Sequence, residues 1–243
     1  MPARTERPAF YALGGGLAGD VLALAHPPYT AWHLSYVAIG AAIAPHLHVD
    51  RLLWALAAFG LAVGIAAHAL DELHDRPLRT HLSDRTLIVL SAVSLAGGLA
   101  IGVAGVLAVT PALAPFVVAG ALFLPAYNLE LLGGRLHSDL WFAIGWGAFP
   151  ALTGYFVQAE RITPAGLLIA AGCLVLSVAQ RRLSSPAREL RRRTRSLQGT
   201  RTRPDGSVEQ LTLTGLLAPL DGALGALSLA IVLLACALVL ARL

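Results

Sequence analysis

The sequence predicts an all-α polytopic transmembrane helical bundle of about seven spans, preceded by an N-terminal interfacial helix, with residues 1–243 forming a single membrane domain. Three observations carry this expectation. Of 243 residues, 56% are hydrophobic and only 13% are charged, whereas soluble domains run at about half apolar and about a quarter charged. Mean hydropathy is +0.69, so a water-soluble globule would lack the polar surface to cover its apolar mass. The apolar residues also gather into runs near the roughly 20 residues that a bilayer crossing needs. The same numbers exclude a disordered chain, collagen, a coiled coil and a disulfide scaffold. Cys173 and Cys236 both fall in apolar runs and read as small buried hydrophobes.

Taken in order, residues 1–25 form the expected interfacial segment, because the stretch 8–24 is short and broken by glycine. No compact apolar core with a cleavage site follows the polar start, so no cleavable signal peptide is expected. Spans are expected at 28–45, 51–72, 86–108, 111–129, 138–157, 163–180 and 217–241. The third and fourth meet at Thr110–Pro111, an uncharged tight turn. All 18 basic residues are arginine, and the net charge is +4. With seven spans, 15 of the 18 arginines fall on the side of the N-terminus and only Arg51, Arg161 and Arg242 on the other. The positive-inside rule then places the N-terminus and the basic loops in the cytoplasm, in an inner (cytoplasmic) membrane. Charge lying between apolar spans points to orientation and anionic headgroups, and no nucleic-acid partner is expected.

The richest loop is the cytoplasmic basic loop, 181–216. Ser184-Ser185-Pro186 reads as a helix start, with a strongly basic helix over 187–197 lying on anionic lipid. Pro204-Asp205-Gly206 is a turn signal with short polar strands on either side.

Chemistry collects on that same side. In AHALDELHDRPLRT, residues 67–80, Asp71 and Asp75 lie four apart and share a helix face, with Glu72 beside them. Carboxylates at a membrane boundary are costly, and Mg²⁺ would remove the mutual repulsion while bridging to phosphates. The same spacing also suits a polar helix end ion-paired to its own arginines. Arg76 and Arg79 can pair with the acids or hold an anion. Farther on, Tyr127 and Arg135 present a phenol and a guanidinium on either side of a Gly-Gly turn, and Ser138 or Asp139 caps the next helix. Gly145, Gly147, Pro150 and Gly154 inside that helix allow close packing or a kink. His33 sits in a polar patch with Tyr29, Thr30, Trp32 and Tyr36, and such patches face bundle interiors. HALDELHD lacks the HExxH spacing, and no spaced cysteines exist, which disfavours zinc.

In sequence order, HPPYTAWHLSYVAIGAAIAP, ALDELHDRPL, AYNLELLGGR and GWGAFPALTGY resemble the opening span, first Asp-rich motif, Tyr-then-basic segment and Gly/Pro-rich fifth span of the UbiA superfamily of intramembrane prenyltransferases. The resemblance covers roughly residues 26–195. Ala67 and His68 stand at the leading Asn-Asp of the first motif. QRRLSSPARELRRR, with Glu189 its one acid, stands at the second acidic motif, so the chain reads as a divergent member.

The resemblance implies an isoprenoid diphosphate substrate held through Mg²⁺ and transfer of the prenyl group to a lipophilic acceptor. It implies Asp71, Glu72 and Asp75 as metal ligands, and Asp71, Asp75 and Tyr127 as catalytic. Arg76, Arg79, Arg135 and Arg188 would hold phosphate oxygens, and Tyr36 would line the substrate path. Charge held by one metal, or by arginine in place of metal, also fits the missing acids. The alternative is a non-catalytic protein of the same fold that holds a lipid or partner. A transporter would need a polar path across the bilayer, whereas the polar residues here crowd one face. The sequence leaves the oligomeric state open.

Overall fold

The computed structural model describes residues 16–243. Residues 1–15 of the expected N-terminal segment lie outside the described residues, as does the side chain of Asp75. The chain forms a multi-pass helical bundle. Helix α1 is Gly16–Leu24 and α2 is Pro27–Ile43. Six longer helices follow: α3 Val49–His74, α4 Asp84–Ala108, α5 Pro111–Asn128, α6 Asp139–Ala159, α7 Pro164–Arg193 and α8 Leu213–Leu240. These six are long and apolar enough to cross a membrane.

Local chemistry sets the helix ends. Ser83, Ser138, Thr163 and Thr212 each precede a helix and accept a hydrogen bond from the backbone N–H two or three residues into it. Of the two expected caps, Ser138 does the work, at 3.3 Å from the Trp141 nitrogen. Pro27, Pro111 and Pro164 occupy first-turn positions, where a missing N–H removes nothing. The expected hairpin at Thr110–Pro111 is the α4–α5 junction, and Thr110 caps it.

Helix α2 corresponds to the expected first span, at 17 residues, or about 26 Å. It is an interior helix rather than a lipid-facing one. Trp32, Tyr36, Val37 and Ala41 are fully buried. Helices α6, α7 and α8 enclose it. Contact with α6 is close enough that a Cβ at Gly40 would collide with the Ala151 carbonyl, and one at Gly154 with the Val37 carbonyl. Helix α2 runs from one end of the bundle to the other. At its C-terminal end, Arg242 donates to the carbonyls of Ala44 and Pro45 at 2.9 and 2.6 Å. Arg51 pairs there with Glu160 at 2.8 Å. The minority arginines therefore mark one end, and the basic loops mark the other.

Three helices contain π-helical stretches, in which backbone bonds span five residues: Gly60–Ala67 in α3, Ile144–Ala148 in α6 and Glu189–Arg193 in α7. Such stretches concentrate at functional sites.

Helix α7 departs from the expected layout. The apolar run ends near 180, yet the helix continues through Pro186 to Arg193. Pro186 therefore lies inside a helix instead of starting one. The first part of the basic region is helix packed on the bundle, and Ala187 is buried there. Beyond it, strands β1, Thr200–Thr202, and β2, Val208–Gln210, form the expected hairpin around Pro204-Asp205-Gly206. Arg201 and Arg203 both pair with Glu209 across it, at 2.6 and 2.7 Å.

Candidate functional site

At the basic end, α2, α3, α5, α6 and α7 converge on a polar cavity of about 160 Å³. This is close to the roughly 150 Å³ that admits one benzene ring, so it has room for a small headgroup. His26, just before α2, and Tyr29 and His33 within it line the cavity, and α3 contributes Ala67, His68 and Asp71. Tyr127 and Asn128 end α5 on its wall, and Phe142 and Trp146 come from α6. Helix α7 lines the cavity with one stripe: Gln180, Arg181, Ser184, Ala187, Arg188, Arg191 and Arg192. Steps of three and four residues put all of these on one helix face. Each π-helical stretch borders the cavity. Ala67 and Trp146 lie in two of them, and Arg191 and Arg192 in the third.

Hydrogen bonds and ring contacts hold the walls. His33 Nδ1 donates to the Trp146 carbonyl at 2.8 Å. His137 Nδ1 donates to the Tyr127 carbonyl at 3.1 Å, and its ring stacks on Tyr127 at 4.6 Å. Tyr127 also packs on Trp146 at 4.4 Å. The His26 and His68 rings stack at 4.1 Å. Burial, reinforced by the neighbouring His68 ring, holds the His26 imidazole well below the ordinary histidine range.

The charges are unevenly matched. Arg181 pairs with Asp139 at 2.7 Å and lies 5.1 Å over the Phe142 ring. Arg191 pairs with Asp221 at 2.6 Å. Arg188 donates to the Ser185 hydroxyl at 3.3 Å. Among the described residues, no carboxylate lies within ion-pair distance of Arg188. Asp71 is the one carboxylate among the described lining residues. Three buried polar atoms of lining residues lack hydrogen-bond partners among the described residues: the Tyr127 hydroxyl, His68 Nε2 and Gln180 Oε1. Buried polar atoms are nearly always paired, so these three leave hydrogen-bonding capacity unused among the residues that line the cavity.

The structure brings three of the expected site residues, Asp71, Tyr127 and Arg188, onto this cavity. The Asp75 side chain lies outside the described residues, and the remaining expected residues stand elsewhere. Glu72 is fully buried and both of its carboxylate oxygens are engaged. Oε2 accepts from the Leu78 nitrogen at 2.9 Å, and Oε1 accepts from the Thr80 nitrogen and hydroxyl at 2.8 and 3.0 Å. Glu72 thus fastens the loop after α3. Arg76 donates to the Leu82 carbonyl at 2.6 Å and pairs with Asp84, while Arg79 and Arg135 are exposed on loops outside the cavity lining. Tyr36 is fully buried within the α2–α7 packing, where Trp32 and Ser177 donate to its hydroxyl. Two turns earlier on α2, Tyr29 takes the cavity position.

These donors also bear on the expected Mg²⁺. Among the described residues, no group of three or more His, Cys, Asp or Glu side chains is placed to hold a metal ion. With Glu72 committed to its loop, Asp71 is the one carboxylate among the described lining residues, whereas a divalent-cation clamp draws on several hard oxygens.

An apolar hollow of about 590 Å³ lies between α3, α4, α5 and α6 and reaches the opposite end at Asp50 and Arg51. One helical turn separates it from the polar cavity on three helices. Val63, Leu124 and Phe149 face the hollow, and Ala67, Tyr127 and Trp146 face the cavity. The wall between them is a packed cluster of Val63, Ala66, Ala67, Leu70, Leu124, Tyr127 and Trp146.

No protein-family model matches this sequence, and no match was found among curated proteins or solved structures.

Proposed function

We propose that this chain is a UbiA-like protein of the cytoplasmic membrane that binds the diphosphate head of an isoprenoid lipid in the polar cavity and transfers the prenyl group to a lipophilic acceptor. One observation carries the binding half of this reading: unpartnered buried polar atoms and an arginine stripe converge on a cavity of headgroup size. Transfer rests on the resemblance of ALDELHDRPL and its neighbours. Arg188 and the flanking arginines neutralise the diphosphate, and the Tyr127 hydroxyl donates to a phosphate oxygen. The Tyr127 and Trp146 rings border the position of the carbon–oxygen bond that breaks, where their faces favour developing positive charge. The apolar hollow lies one helical turn away, and the Val63, Leu124, Tyr127 and Trp146 side chains between the two spaces would have to part for the isoprenoid tail to enter it. The chain crosses the bilayer seven times, α2 included, with the basic end cytoplasmic. This is supported by the arginine asymmetry and by the end-to-end course of α2.

A second reading, a lipid-binding protein without catalysis, is favoured by the solitary state of Asp71 among the described lining residues. Full-length protein in proteoliposomes, given a labelled prenyl diphosphate with and without Mg²⁺, separates the two. Retained lipid with pyrophosphate release supports the transferase, retention without release supports the second reading, and no retention overturns both.

A further inference from the structure

We propose that the cavity is an oxyanion site that works without a divalent cation: Arg188 and its arginine neighbours neutralise a diphosphate directly, and Asp71 opposes that charge instead of recruiting it through a metal. This rests on the reading that a diphosphate-headed ligand occupies the cavity. The arginine stripe comes from one helix face, carried past Pro186 by an unbroken α7 and continued into the Glu189–Arg193 π-helical stretch, whose Arg191 and Arg192 line the cavity. Arg181 and Arg191 are held by ion pairs with Asp139 and Asp221. Arg188, between them, has a hydroxyl partner and no carboxylate among the described residues. Planar guanidinium groups match phosphate oxygens two bonds at a time. The buried Tyr127 hydroxyl has a proton to donate and no acceptor among the described residues. Hard carboxylates, in contrast, are scarce: Glu72 is fully engaged by the 78–80 backbone, which leaves Asp71 among the described lining residues. A carboxylate beside an anionic ligand repels it unless a cation stands between them.

The two arrangements predict opposite responses to neutralising Asp71. If Asp71 holds Mg²⁺, Asp71→Asn loses the ligand. If arginine does the work, the same change tightens binding. The experiment is titration calorimetry of the detergent-solubilised full chain with inorganic pyrophosphate, in EDTA and in excess Mg²⁺, with a prenyl diphosphate as a parallel arm. Pyrophosphate affinity in EDTA is expected within about twofold of that in Mg²⁺, tightened about threefold or more by Asp71→Asn and weakened about tenfold or more by Arg188→Gln. Arg188→Lys, which keeps the charge, is expected to recover part of the loss. The gain in Asp71→Asn cannot arise from misfolding, which keeps the test decisive if Arg188→Gln is unstable. Binding that requires Mg²⁺, or that Asp71→Asn abolishes, overturns the inference and leaves the proposed function standing. Pyrophosphate bound without metal while prenyl diphosphate is refused overturns the proposed function instead. Refusal of both overturns the two together.

Discussion

His33 Nδ1 lies 2.8 Å from the carbonyl oxygen of Trp146, and this bond ties the polar face of α2 to the π-helical stretch of α6. A carbonyl can only accept, so Nδ1 carries the proton and the neutral ring keeps Nε2 as an acceptor. Replacing His33 with Phe leaves a buried carbonyl without that donor. A loss of about 1–3 kcal/mol is expected, read as a lower midpoint in denaturant unfolding of the micellar protein. An unchanged midpoint would show that the bond contributes little.

Glu72 holds the 78–80 segment by three hydrogen bonds from buried groups. Glu72→Ala is expected to destabilise the fold by about 1.5–3 kcal/mol and to release the loop. Limited trypsinolysis would then cut faster after Arg79, which is already exposed. Equal cleavage rates in parent and variant would refute the role as a fastener.

The α2–α6 contact depends on two glycines. Gly154→Ala meets backbone at Val37, which cannot rotate away, so a loss of about 1–3 kcal/mol is expected. Gly222→Ala on α8 meets nothing within 4 Å and is expected to stabilise by about 0.4–1 kcal/mol. Opposite signs in a paired thermal-unfolding measurement would check both.

His26 makes stability depend on pH. Its folded-state value is depressed by burial, whereas in the unfolded chain it titrates near about 6.5. The unfolded state therefore binds the extra proton first, and stability is lost as the pH falls below that value. His26→Asn is expected to flatten this acid limb in unfolding midpoints collected from neutral to mildly acidic pH. A limb as steep as that of the parent would assign the effect to other groups.

The bundle was legible because a bilayer crossing leaves a long apolar run, and the α3, α4, α5, α6 and α8 boundaries fall within a few residues of those expected. Helix α7 was misjudged at its end because Ser184-Ser185-Pro186 carries the local signature of a helix start. Tertiary packing of Ala187 and the arginine face overrides it. The spacing of Arg181, Ser184, Arg188 and Arg191 was present in the sequence as a single-face stripe, but it becomes visible only once the helix is known to continue. Tyr29 and Tyr36 share a face two turns apart, so periodicity could not say which one meets the cavity. Arg76, Arg79 and Arg135 sit on loops whose paths depend on long-range bonds such as those of Glu72, and spacing along the chain carries no record of those.

The tightly packed septum of Val63, Leu124, Tyr127 and Trp146 has an electrical consequence. Arginines line a cavity at one end of the bundle, and the apolar side chains packed beneath it set a low-dielectric layer between that charge and the far side. Any current through the bundle would have to cross that layer, so reconstituted protein is expected to leave the conductance of a planar bilayer unchanged.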